Sequence, residues 1–108
     1  MRHDLTLITE RVHMLLRRIE RGDYPDQVTL ENTLTDGYAC ALALDAECDR
    51  LERRISDHAA GLSADSSADD ARELSALVRL LTRRRRELEA LRDLLAVLRA
   101  GVQEARVA

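Results

Sequence analysis

Residues 30–62 read LENTLTDGYACALALDAECDRLERRISDHAAGL, and a single row runs their whole length: Leu30, Leu34, Gly37, Ala41, Leu44, Cys48, Leu51, Ile55, His58 and Leu62. Steps alternating between three and four residues keep every member on one face of an α-helix. Apart from Gly37 and His58 the row is apolar, and its heptad repeat never slips. Residues 70–102, DARELSALVRLLTRRRRELEALRDLLAVLRAGV, carry a second row: Leu74, Leu77, Leu81, Arg84, Leu88, Leu91, Leu95, Leu98 and Val102. Between the rows lies Gly61-Leu62-Ser63-Ala64-Asp65-Ser66-Ser67, small and polar, a loop by composition.

Folding one row back on the other gives a consistent antiparallel register. His58 meets Leu74, Ile55 meets Leu77, Leu51 meets Leu81, and Cys48 meets Arg84. The series continues through Leu44 with Leu88, Ala41 with Leu91, Gly37 with Leu95 and Leu34 with Leu98. Upstream, Leu5, Ile8, Val12, Leu15 and Ile19 form a shorter row. Asp4 is placed to cap its start and Gly22 to end it in a left-handed turn, and Pro25 cannot continue a helix from behind. The expected fold is all-α: a three-helix antiparallel bundle with a short first helix and a long two-helix coiled-coil hairpin. One helical-hairpin domain covers 1–108, with helices near 5–21, 28–60 and 69–100.

Three further expectations follow. The first helix packs against Leu30 to Leu44, where Gly37, Ala39, Ala41 and Ala43 admit a third backbone and Leu94 with Val97 widen the apolar face of the third helix. The third helix starts with a capping box of Asp70 and Glu73, and it frays at Gly101. Beyond the first helix, two helices form an arm that ends near residue 65.

Composition narrows the function. The chain has 108 residues, a net charge of -3, and two aromatic residues, Tyr24 and Tyr38. All 17 basic residues are Arg, interspersed with acids. Such a balance draws the chain neither to nucleic acid nor to anionic lipid as a whole. Cys40 and Cys48 lie roughly 12 Å apart along one helix, too far to bridge, as reduced thiols in a cytoplasmic protein would be. No apolar h-region opens the chain, and the longest apolar run, Ala39 to Leu44, falls short of the ~20 residues that span a bilayer.

Arg83-Arg84-Arg85-Arg86 is the most conspicuous local feature. One reading is a phosphate-binding patch. The other is local neutralisation: Glu87 and Glu89 stand four residues beyond Arg83 and Arg85, and Asp45 should meet Arg85 across the seam. Four consecutive residues also spread around the helix, so they cannot face one phosphate backbone together. His3, His13 and His58 have no second ligand at metal spacing, although His13 approaches the level of Cys40. Titration of His58 near pH 6 would loosen the arm tip. Cys48 opposite Arg84 would have a depressed pKa, but no base or oxyanion donor accompanies it. Tyr38 reads as a packing residue flanking the seam.

These features support a non-enzymatic structural or adaptor module that works through protein–protein contacts. No cofactor, metal, small-molecule substrate or membrane is implied. Val78 and Leu80, beside the seam residues Leu77 and Ile55, form the candidate partner surface, because exposed apolar side chains on an arm mark a contact. The partner is a protein or the chain's own copy, most simply as a homodimer. The alternative is a small regulatory protein that binds nucleic acid through Arg83, Arg84, Arg85 and Arg86.

Overall fold

A computed structural model describes residues 4–62 and 67–107, with side chains as far as Glu104. The centre of the expected loop, residues 63–66, and His3 lie outside the described residues. Three helices follow in order: α1 (Leu5–Glu20), α2 (Gln27–Gly61) and α3 (Ala68–Val107). The fold is all-α, with α2 and α3 packed on one another. Among the described residues no helix is long and apolar enough to cross a membrane.

Local chemistry explains each helix end. The Asp4 carboxylate accepts from the backbone N–H groups of Thr6 and Leu7, satisfying two donors that the first turn leaves unpaired. At the other end Gly22 adopts φ +76°. The Gly22 N–H then reaches the Ile19 carbonyl and the Asp23 N–H reaches that of Arg18, a Schellman closure that only glycine enters without strain. Asp26 caps α2: its carboxylate accepts from the Thr29 N–H at 3.1 Å and from the Thr29 hydroxyl at 2.6 Å.

Two boundaries differ from the expectation. The capping box of α3 is Ser67 with Asp70, not Asp70 with Glu73. The Ser67 hydroxyl accepts from the Asp70 N–H while the Asp70 carboxylate accepts from the Ser67 N–H, both at 3.2 Å. Aspartate at the third helical position does the work usually done by glutamate. At the far end Gly101 does not fray the helix, which continues to Val107. A Cβ added at Gly101 would lie 3.4 Å from the Ile19 side chain, an ordinary packing distance that places this glycine against α1.

The chain divides into two compact units, Met1–Ala43 with Glu89–Ala108, and Leu44–Leu88. In the first unit three helices share a core of Ile8, Val12, Leu15, Leu30, Cys40, Ala41, Leu91, Leu95, Leu98 and Val102. Gly37 faces Leu95, as the register requires; an added Cβ would come within 2.4 Å of a Leu95 methyl. The row that widens α3 is Leu94, Leu98 and Gly101, not Leu94 with Val97. Val97 is 56% exposed, because a step of three residues from Leu94 falls about 60° short of a full turn, away from the buried Leu95 and Leu98. A polar clip joins α1 to α2: Arg11 donates to Asp36 at 2.9 Å and to the Thr33 hydroxyl at 3.3 Å, and Thr33 donates to the Thr29 carbonyl. Thr33 is only 1% exposed, and its hydroxyl is satisfied on both sides.

In the second unit α2 and α3 run antiparallel, with His58 beside Glu73 and Glu47 beside Arg84. Its seam buries Leu44, Cys48, Leu51, Leu77, Leu81 and Leu88.

The Gly37–Leu95 layer gives a direct test of register. Gly37→Leu should destabilise by about 1–3 kcal/mol through overpacking, and the double variant Gly37→Leu with Leu95→Ala should regain part of that loss. Chemical denaturation of the three proteins measures both. A second expectation concerns acid. The Thr29 hydrogen bonds hold the Asp26 carboxyl below its ordinary range, and the Arg18 guanidinium does the same for Asp23. Carboxylates with depressed folded-state pKa stabilise the fold above their unfolded value and lose that contribution as pH falls past it. Urea midpoints should therefore drop below about pH 4, and Asp26→Asn, which caps without titrating, should flatten the slope.

Candidate interaction surfaces

The arginine run separates into individual roles. Arg84 occupies the seam row, yet its guanidinium leaves the seam for the rim, where it donates to Glu47 of α2 at 3.0 Å and to Glu87 of α3 at 2.9 Å. Its stem stays against apolar neighbours while its head remains partly in water. Glu87 first, and then Glu47, hold the guanidinium more firmly protonated than usual. Arg85 instead pairs with Glu52, where the heptad scheme expected Asp45. Glu52 lies one heptad beyond Asp45 on the same flank, and a long guanidinium arm spans that step. Glu87 is occupied by Arg84, so the expected Arg83–Glu87 pair does not form. Arg83 and Arg86 are exposed and carry no ion pair among the described residues.

These pairs define two faces of the 44–88 unit. Arg84 bridges Glu47 and Glu87, which places both glutamates on one face. Stepping four and seven residues along each helix adds Leu51 and Arg54 from α2, and Arg83 and Leu80 from α3, to that face. The His58–Glu73 pair, 3.5 Å apart, closes it further along. The Arg85–Glu52 pair marks the other face. From Glu52 it continues to Ser56 and Ala59, and from Arg85 back to Thr82, Val78 and Ser75.

Of the four residues of the expected partner surface, Leu77, Ile55 and Leu80 lie together and Val78 stands apart. Leu77 is buried in a cluster with Cys48, Leu51 and Leu81. Ile55 and Leu80 are partly buried and pack on that cluster. Val78 is 44% exposed and stands on the opposite face from Leu80, because a two-residue step turns a helix by roughly 200°. Arg54, which flanks Leu80 and Ile55, was not singled out from the sequence. Its one signal there is its place a turn after Leu51.

The thiols run against one expectation. Cys48 is 4% exposed, and burial pushes its pKa up, outweighing the opposing pull of Arg85. Cys40 is likewise raised by burial, then by Asp4. Neither environment favours a thiolate. His13 is exposed, whereas Cys40 is buried. Among the described residues no three His, Cys, Asp or Glu side chains converge where a metal ion would be held. Tyr38 is exposed.

No protein-family model, curated protein or solved structure matches the chain.

The triad around Arg84 should be replaceable rather than essential. Arg84→Ala removes two partly exposed ion pairs and should cost up to about 1 kcal/mol. Arg84→Leu fills the seam position and should restore that stability or exceed it, as apolar replacements of inward-facing charges often do. Thermal unfolding of the two variants beside the parent decides the point.

Proposed function

We propose that this protein is a non-enzymatic structural or adaptor module that works through protein–protein contact and pairs with a second copy of itself. The observation that carries the reading is Val78, an apolar β-branched side chain left exposed on a two-helix unit whose seam is one residue wide on each helix. Two helices sharing a narrow seam gain little from burial, and intrinsic propensity seldom holds helices together in water. A further helical surface laid against them adds what the seam lacks.

The Val78 face suits a second copy. Around Val78 stand Ser75 and Thr82 and, from α2, Ser56 and Ala59, all exposed, small and uncharged. Small side chains allow close approach of helix axes, which pack ~8–10 Å apart. Arg85 and Glu52 on this face already neutralise each other. A twofold dimer through this face sets Val78 against its own counterpart without opposing like charges. The competing reading, nucleic-acid binding by Arg83–Arg86, draws support only from the unpaired Arg83 and Arg86. Arg84 and Arg85 are committed to glutamates on different faces.

Sedimentation equilibrium over a concentration series should show a monomer–dimer equilibrium. Val78→Arg should weaken it about tenfold or more, the equivalent of losing one buried side chain. A monomer mass at every concentration overturns self-association. Salt-sensitive retention on duplex DNA that Arg83→Ala with Arg86→Ala abolishes would replace it with the nucleic-acid reading.

A further inference from the structure

The opposite face of the 44–88 unit is built differently. Leu80 and Ile55 sit partly exposed over the Cys48–Leu51–Leu77–Leu81 cluster. Arg54 rises on the α2 side of them and Arg83 on the α3 side, both exposed. One turn before each stands another exposed arginine, Arg50 and Arg79. None of these four has an ion-pair partner among the described residues, whereas Arg84 and Arg85 beside them are both paired. Of the acids on this face, Glu47 and Glu87 hold Arg84 and Glu73 stands 3.5 Å from His58, while Asp57, one turn beyond Arg54, is exposed; four unpaired arginines against that one acid leave the face basic. An apolar strip thus runs between two basic walls.

From this arrangement we infer that the face presenting Leu80 and Ile55 receives an amphipathic helix of a partner protein that carries acidic residues on both flanks of its apolar row. The inference rests on reading the chain as an interaction module, but it uses a face distinct from Val78. Leu80 and Ile55 supply the apolar contact. Arg54 and Arg83 meet the flanking carboxylates, and Arg50 and Arg79 extend the field along the approach. Arginine suits this role because its planar fork engages a carboxylate bidentately.

Charge also separates this occupant from the alternatives. A second copy docked here about a twofold axis would bring Arg54 and Arg83 against copies of themselves, a net repulsion that Asp57 alone does not offset. Nucleic acid would satisfy the arginines but leave Leu80 and Ile55 facing phosphates, and the chain as a whole is acidic. An acid-flanked helix answers both the apolar strip and its walls.

The test uses two fluorescent helical peptides of about four turns, identical in their leucine row, one flanked by glutamates and one by lysines. Fluorescence anisotropy should show the glutamate peptide binding the full-length chain at least about tenfold more tightly than its lysine twin. Arg54→Glu with Arg83→Glu should reverse that preference; both side chains are exposed and unpaired, so circular dichroism should be unchanged. Leu80→Ser should weaken both peptides. Equal binding of the two peptides, binding of neither, or a preference that survives the double reversal overturns the inference. Displacement of the glutamate peptide by a short DNA duplex more readily than by excess unlabelled peptide also overturns it, in favour of nucleic acid. The same titration on Val78→Arg keeps the two readings apart. A monomeric variant that retains the peptide preference supports both faces, a parent chain that is monomeric yet binds the peptide defeats self-association alone, and a dimer indifferent to both peptides defeats this inference alone.

Discussion

Leucine against leucine across α2 and α3 is the contact on which everything else depends. Each heptad contributes two seam residues per helix, and each buried leucine is worth about 1.5–3 kcal/mol relative to water. Because the seam is narrow, small residues matter as much as large ones. Gly37 leaves just enough room for Leu95. Gly37 occupies a helical position where alanine would be the better helix former, so close packing, not propensity, accounts for it.

Polar groups then decide how the flanks are used. Arg11 ties α1 to α2 through Asp36 and the buried Thr33 hydroxyl, a link that gives the short helix direction as well as burial. In the 44–88 unit, Arg84 would be a misfit in an apolar row if its head were trapped there. It escapes to the rim, and two glutamates from different helices meet it. Such pairs add little net stability; they favour one register over its neighbours, since a slip by one residue would part all three groups.

With acids consumed in this way, the remaining arginines acquire meaning. A run of four looks like a single basic patch in one dimension. In three, one member holds the seam rim, one neutralises Glu52 on the far face, and two are left in water. Arg83 joins Arg54 beside Leu80, while Val78 occupies the neutral side with small neighbours. Two faces of unlike chemistry on one pair of helices are what the proposed self-association and the inferred acidic partner each draw on.

Periodicity in the sequence was enough to specify three helices, their antiparallel course and the residues of the seam, because the angle of a side chain around its own axis depends only on its position along the chain. Asp4 and Gly22 were legible for the same reason: capping is local chemistry. Which acid each arginine takes was settled only by tertiary structure. Arg85 reaches Glu52 and Arg84 captures Glu87 because several carboxylates lie within the sweep of a long side chain, and the choice turns on distances across the seam. The raised thiol of Cys48 is likewise a product of packing. In the sequence its neighbour is an arginine; in the fold its surroundings are leucines, and desolvation outweighs the charge.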